Sequence, residues 1–227
     1  SEFSDELGHF QRPALEGVDT RTLTLHLRER GTPWGAMFSQ DSLGSSDVHS
    51  YAAKLIASRK GQIKGDWVYE VSTKTTQIFK GQGARGRVAV LDFGMKDSIL
   101  HQLTMRFKEV GVFNSRTSHR DILNWNPQGL MLVNGPGDPA QVQGAVSEVK
   151  SLLGQVPIFG ICMGNQILAL ALEGKTEKLK FGHRGGNHPV RNLETGEVYM
   201  TSQNHGYVVS ADLPSGVKVS QINLYDK

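Results

Sequence analysis

The chain contains a single cysteine, and the residues around it constrain the fold more tightly than any other stretch. Residues 157–172 read PIFGICMGNQILALAL. A short apolar run ends at Ile161, Cys162 follows at once, and an apolar helical segment begins. A cysteine at such a strand-to-helix turn has its sulfur raised above the sheet beside the free N–H groups of a helix start, a setting that favours the thiolate. The plain alternative for a lone cysteine is a buried core thiol. Gly160 and Gly164 weigh against it, because they remove side chains from around the sulfur and leave room for a substrate. The pattern G-x-C-x-G-x-Q is of the nucleophile-elbow type.

An elbow of this kind needs a sheet beneath it, and the chain supplies one from Arg87 onward. The run RVAVLD reads as a buried strand ending at Asp92, with Phe93 and Gly94 in the turn at its C-terminal edge. A helix is predicted over 98–109, with Ile99, Leu100, Leu103 and Phe107 on its apolar face. Strands follow at 111–114, 130–133 and 156–161. A helix over 141–153 carries Val142, Val146, Val149 and Leu152, and 166–172 belongs to the helix after the cysteine. Strands alternating with helices at this spacing imply an α/β fold: a mostly parallel open sheet flanked by helices, with its site at the C-terminal strand ends. Cys162 lies at one such end and the loop NGPGDP, 134–139, at another.

Before this lies a smaller unit, over 1–71, that reads as part of an α+β domain. Asp19 is placed to cap a helix through TRTLTLHLRER, which Gly31 closes. A second helix runs from Asp47, with Val48, Tyr51, Ala52, Leu55 and Ile56 on one face. A short strand is expected at 35–38. The unit is too small to hold a rich core of its own, so it is expected to pack on something else. Residues 72–86 read as a linker. Gly81, Gly83 and Gly86 satisfy G-x-G-x-x-G, but a dinucleotide fingerprint follows a strand and opens a helix, whereas this one precedes a strand. A flexible connection explains these glycines better.

Composition narrows the function classes. One cysteine excludes an intramolecular disulfide framework and a multi-cysteine zinc site. The 25 basic and 22 acidic residues are interspersed, so nothing requires nucleic acid as a partner. No segment has the long apolar run of a signal or membrane helix, which reads as a cytoplasmic-type protein without a membrane partner. After Leu172 short strand-like pieces alternate with Gly, Asn and His, suggesting an antiparallel extension or loops that cover the site. His183, His188 and His205 invite a metal reading, but no tight cluster with Cys or carboxylates accompanies them, and no metal site is assigned.

The motifs then converge. GVDTRTLTLHLRERG at 17–31, LDFGMK at 91–96, NGPGDP at 134–139, GICMGNQ at 160–166, KFGHRGGNHPV at 180–190 and TSQNHGY at 201–207 resemble the glutamine amidotransferase (small) subunits of carbamoyl phosphate synthases, class I amidotransferases of the Cys-His-Glu type. GICMGNQ alone would indicate only a class I amidotransferase domain, such as one serving guanylate or anthranilate synthesis. The other motifs point to the carbamoyl phosphate branch, which feeds pyrimidine or arginine biosynthesis. The resemblance implies that Cys162 attacks the glutamine side-chain amide to give a thioester and ammonia. It implies that Gly135 and Gly137 help form the oxyanion pocket, and that Met163 supplies the next backbone N–H. Gln166, Asn204, Gly206 and Tyr207 are the remaining implied glutamine-binding positions. Asn165 stands where the family more often has His.

In the family, the base and its orienting carboxylate come from a His-x-Glu pair about 80 residues beyond the cysteine. Here no histidine is followed two positions later by Glu, and the sequence ends at Lys227. The expected organisation is therefore a C-terminal part of a small N-terminal domain over 1–71, a linker over 72–86, and a C-terminally truncated amidotransferase domain over 87–227. The implied partner is a synthase large subunit or fused synthase domain that receives the ammonia. No cofactor is expected in this chain, while ATP and magnesium belong to that synthase. The alternative is a glutamine-binding or structural fragment lacking a catalytic base.

Overall fold

The computed structural model describes residues 2–60 and 65–225, in two compact units, Ser1–Ile56 and Ala57–Lys227. The first contains helices α1 (Glu2–His9), α2 (Thr20–Arg30), α3 (Gln40–Leu43) and most of α4 (Val48–Lys60). As expected, the Asp19 carboxylate caps α2 by accepting from Thr22 N at 2.9 Å, and Asp47 accepts from Ser50 N at the start of α4. Gly31 ends α2 at φ 85°. Residues 35–38, expected as a strand, are not one. A strand needs a ladder partner to satisfy its backbone, and the described elements of this unit are all helical.

The second unit opens with α5 (Trp67–Val71) and continues through β1 (Gln77–Lys80), β2 (Arg85–Asp92), α6 (Asp97–Thr104), β3 (Phe107–Asn114), α7 (His119–Asn124) and β4 (Leu130–Leu132). A 3-10 turn at Pro139–Gln141 leads into α8 (Gln143–Leu152), then β5 (Ile158–Gly160) and α9 (Met163–Ala171). The sheet order is β1-β3-β2-β4-β5, with β1 antiparallel to β3 and the other pairings parallel. The strand period of two sorts the apolar residues between its faces. Ala89, Leu91, Leu130 and Leu132 pack with Ile122, Val149, Leu152 and Ile167 from α7, α8 and α9. Val88, Val90, Val112 and Met131 face the other way, toward Ile99, Leu100 and Leu103 of α6. Each large side chain fully buried this way contributes about 1.5–3 kcal/mol.

Two expectations in this unit need correction. The helix predicted over 98–109 stops at Thr104, and Phe107 begins β3. The residues before β2 explain why: Gln82 N donates to Thr104 O, Gly83 N to Phe107 O and Arg85 N to Arg106 O. These bonds, and the pairing of Phe107 with Arg85, reward an extended chain over another helical turn. The same contacts remove the flexible connection expected over 72–86. Residues 77–80 form edge strand β1, and a Cβ at Gly83 would lie 1.8 Å from Arg106 C. These glycines permit a tight backbone approach.

The remainder forms a second, antiparallel sheet in the order β7-β6-β8, from β6 (Thr176–Asn192), β7 (Val198–Val209) and β8 (Gln221–Asn223). The β6–β7 ladder is irregular, with register shifts between Lys178 and His183 and between Gly185 and His188. Among the described residues no helix is long and apolar enough to cross a membrane.

Candidate active site

Cys162 occupies the turn between β5 and α9 at φ 53°, ψ −113°. A left-handed backbone on a non-glycine residue costs about 1–3 kcal/mol and persists only where the surroundings impose it. Those surroundings are tight. A Cβ on Gly160 would lie 2.5 Å from Asn165 N, and one on Gly164 only 2.1 Å from Leu132 O. The two glycines thus let strand, turn and helix close on one another, rather than simply clearing space around the sulfur. Met163, at the first position of α9, is buried, and its N–H is among those a helix start leaves without an intrahelical partner.

Two further elements converge on the elbow. The first is the loop 134–139, where Gly135 is in close contact with Met163: a Cβ there would lie 2.8 Å from Met163 Sδ. Gly137 adopts φ 90° with open space where a side chain would stand. The second is β7. The Cys162 thiol lies 4.0 Å from Asn204 O, and the buried Gln166 donates from Nε2 to Tyr207 O at 2.6 Å. Tyr207 also faces the loop, with the Asp138 carboxylate near its hydroxyl. Burial pushes the Tyr207 hydroxyl above its ordinary value, and the neighbouring Asp138 charge and hydrogen bond add to that rise. Asp138 in turn accepts from Ala140 N at 2.9 Å.

Close contacts thus gather Cys162, Met163, Gly135, Gln166, Asn204 and Tyr207, with Gly137 and Gly206 in the same two segments. Gln166 gives one of its two amide N–H groups to the backbone of β7 and so ties α9 to β7. Reading along the sequence missed Arg184, which pairs across the ladder with Asn204 and donates to its Oδ1 at 2.7 Å. It lay inside the KFGHRGGNHPV motif, but only the register reveals its partner.

The three histidines considered for a metal do meet. The His183 ring lies 5.0 Å from that of His188 and 4.9 Å from that of His205, centroid to centroid. Among the described residues, however, no group of three His, Cys, Asp or Glu is arranged to hold a metal ion. His205 has Nδ1 2.9 Å from Tyr207 O and Nε2 3.0 Å from Gln203 Oε1. Both ring nitrogens thus lie within hydrogen-bond distance of an oxygen on β7, and a neutral imidazole can donate to one of the two.

Comparison with known proteins extends this geometry. Residues 89–227 match the family described as glutamine amidotransferase class-I. The carbamoyl phosphate synthase small chain of Bacillus caldolyticus is 45% identical over 216 residues, 94% of this chain and 57% of that protein. That of Symbiobacterium thermophilum is 43% identical, over 98% of this chain and 61% of its own length. The pyrimidine-specific small chain of Bacillus subtilis is 42% identical, over 94% and 56% respectively. The chain thus spans a little over half the length of these curated relatives. A solved structure of a putative GMP synthase component from Thermoplasma acidophilum shares the fold at 18% identity, with a TM-score of 0.50 over 63% of this chain and 75% of that one.

Proposed function

We infer the function from one premise: this chain belongs to the class I glutamine amidotransferase family. On that premise we propose that it is the ammonia-supplying component of a carbamoyl phosphate synthase. The observation that carries the chemistry is the strained Cys162 turn, with the loop 134–139 on one side and β7 on the other. The resemblance of the whole chain to small chains of carbamoyl phosphate synthases supports the choice of branch.

In the proposed reaction the Cys162 sulfur adds to the side-chain amide carbon of L-glutamine. The oxygen gains negative charge as the tetrahedral intermediate forms, and preorganised N–H donors from Met163 and the loop at Gly135 and Gly137 stabilise it. The C–N bond then breaks, and the nitrogen leaves as ammonia once it has received a proton. Water hydrolyses the resulting thioester to glutamate and restores the thiol. Gln166, Asn204, Gly206 and Tyr207 are proposed to hold the amino and carboxylate ends of the substrate. Ammonia then passes to a synthase large subunit or domain, where ATP and magnesium would act.

Both proton steps need a positioned base. His205 is poorly placed for that role, because Tyr207 O and Gln203 Oε1 already crowd its two ring nitrogens. Residues 1–227 by themselves should therefore react at Cys162 with a glutamine-shaped electrophile, yet release ammonia from glutamine at least about 100-fold more slowly than a small chain of the curated relatives' length. Purified proteins of both lengths, assayed with and without the synthase partner, test this. Turnover by the 227-residue chain at the full rate would place the base within these residues, with His205 the first to mutate. Absence of any Cys162 labelling would remove the proposed chemistry itself.

A further inference from the structure

The C-terminal ends of β2, β3 and β4 carry three polar residues whose side chains all turn back onto loop backbone. Asp92 ends β2 and is only 6% exposed. Its Oδ1 accepts from Gly94 N and Met95 N, both at 2.9 Å, and its Oδ2 accepts from Thr73 N at 2.7 Å. Asn114, at the end of β3, donates from Nδ2 to Thr73 O at 2.5 Å. Asn134, just beyond β4, bridges two atoms of the same turn: its Nδ2 donates to Gly94 O at 2.8 Å and its Oδ1 accepts from Lys96 N at 3.2 Å. Gly94 is thus gripped twice, by Asp92 at its N–H and by Asn134 at its carbonyl.

That turn is the floor on which the loop 134–139 rests. A Cβ on Gly135 would lie 2.5 Å from Phe93 O and 2.7 Å from Phe93 Cβ, with Met163 Sδ closing the other side at 2.8 Å. Gly94, at φ 119°, leaves 3.5 Å between its missing Cβ and Pro136 Cδ. The backbone of Gly135 and Pro136 therefore inherits its position from the turn at 93–96. Donors for a developing oxyanion act only within a few tenths of an ångström of their ideal distance, so the support behind them controls how much they stabilise.

We propose that Asn134 and Asp92 are positioning residues for the oxyanion side of the site, holding the Gly135–Gly137 backbone at a fixed height above the sheet relative to Cys162 and Met163. This rests on the reading that these N–H groups face the substrate carbonyl. The side-chain chemistry explains the choice of residues. Three converging N–H groups call for an acceptor-only carboxylate at 92, whereas a carbonyl and an N–H side by side call for an amide at 134.

The test compares ligands that do and do not place a tetrahedral adduct oxygen in the oxyanion pocket. L-Glutamate γ-semialdehyde adds to the Cys162 thiol as a hemithioacetal: a C–S bond forms and the carbonyl oxygen takes up the thiol proton. L-Glutamine binding, measured on the Cys162→Ser background, reports the planar ground state, and alkylation by iodoacetamide reports thiol access alone. Asn134→Ala and Asn134→Asp should each weaken the aldehyde about 10-fold, a fraction of what losing an oxyanion donor outright costs. Glutamine affinity and iodoacetamide rate should stay within about twofold. Asp92→Asn, which sets an NH2 against Thr73 N–H or the turn, should shift the aldehyde in the same direction and guards against a misfolded Asn134 variant. Unchanged aldehyde affinity in these variants overturns the inference, as does an equal loss in all three measurements, which would mark a merely structural role. Failure of the unsubstituted chain to form the adduct would instead defeat the underlying thioester reading.

Discussion

The two units of the chain solve the problem of burying apolar surface very differently. In Ala57–Lys227 the strands and helices enclose two continuous apolar clusters, one on each face of the sheet. In the first unit, Gly31 is the one buried residue among those described, while Phe10 is 60% exposed and Leu25 49%. Its local signals are nonetheless good: Asp19 caps α2, and Phe38 meets Tyr51 edge-to-face at 4.9 Å. Capping and helix pattern suffice to shape helices, but not to cover them. A unit that leaves its apolar side chains in water is suited to being covered by another polypeptide surface.

The largest expected effect lies at the elbow of the second unit. Cys162→Ser should abolish labelling by a glutamine-like electrophile, as read by intact mass, while leaving the thermal midpoint of the α/β unit near its original value. A concurrent collapse in stability would mean that the thiol is a packing residue after all. Next comes assembly. If the proposed function holds, the first unit and its junction with the amidotransferase domain form the principal contact with a synthase, so removing residues 1–65 should eliminate co-purification with it. If the remainder, shown to be folded, still assembles, that interface lies elsewhere.

A pair of truncations measures the contrast directly. Leu132→Ala, in the fully buried β4, should cost about 2–5 kcal/mol in urea unfolding. Leu25→Ala, on exposed α2, should stay within about 0.5 kcal/mol in the isolated chain. Comparable costs would show that the first unit has a core after all. The smallest effect is a pH dependence at the α7–α8 contact. The Glu148 carboxylate is held below its usual range, first by the His119 backbone N–H at 2.6 Å and then by the His119 ring at 2.7 Å. A depressed carboxylate contributes stability that is present above its unfolded value and lost as pH falls through the lower, folded value. Glu148→Gln should therefore cost about 1 kcal/mol near neutrality, and the gap to the unsubstituted chain should close in acid. A gap independent of pH would assign the contact to packing alone.

The alternation of the α/β unit, its buried strands, the elbow at Cys162 and the caps of α2 and α4 are all legible along the chain. Each of these depends on residues within a few positions of one another: a period of two, a helix face, an Asp three residues before an N–H. Tertiary packing settles the rest. Phe107 fits a helical face, but the strand ladder and the 82–85 backbone hold it extended. The glycines at 81–86 look like a flexible joint until Arg106 and Phe107 are laid against them. At the site, Gln166 reaches Tyr207 O 41 residues away, and Arg184 finds Asn204 only through the β6–β7 register. Such pairings depend on how strands are ordered and shifted against each other. Local pattern carries no information on that order, because it is set by which apolar faces can be buried together.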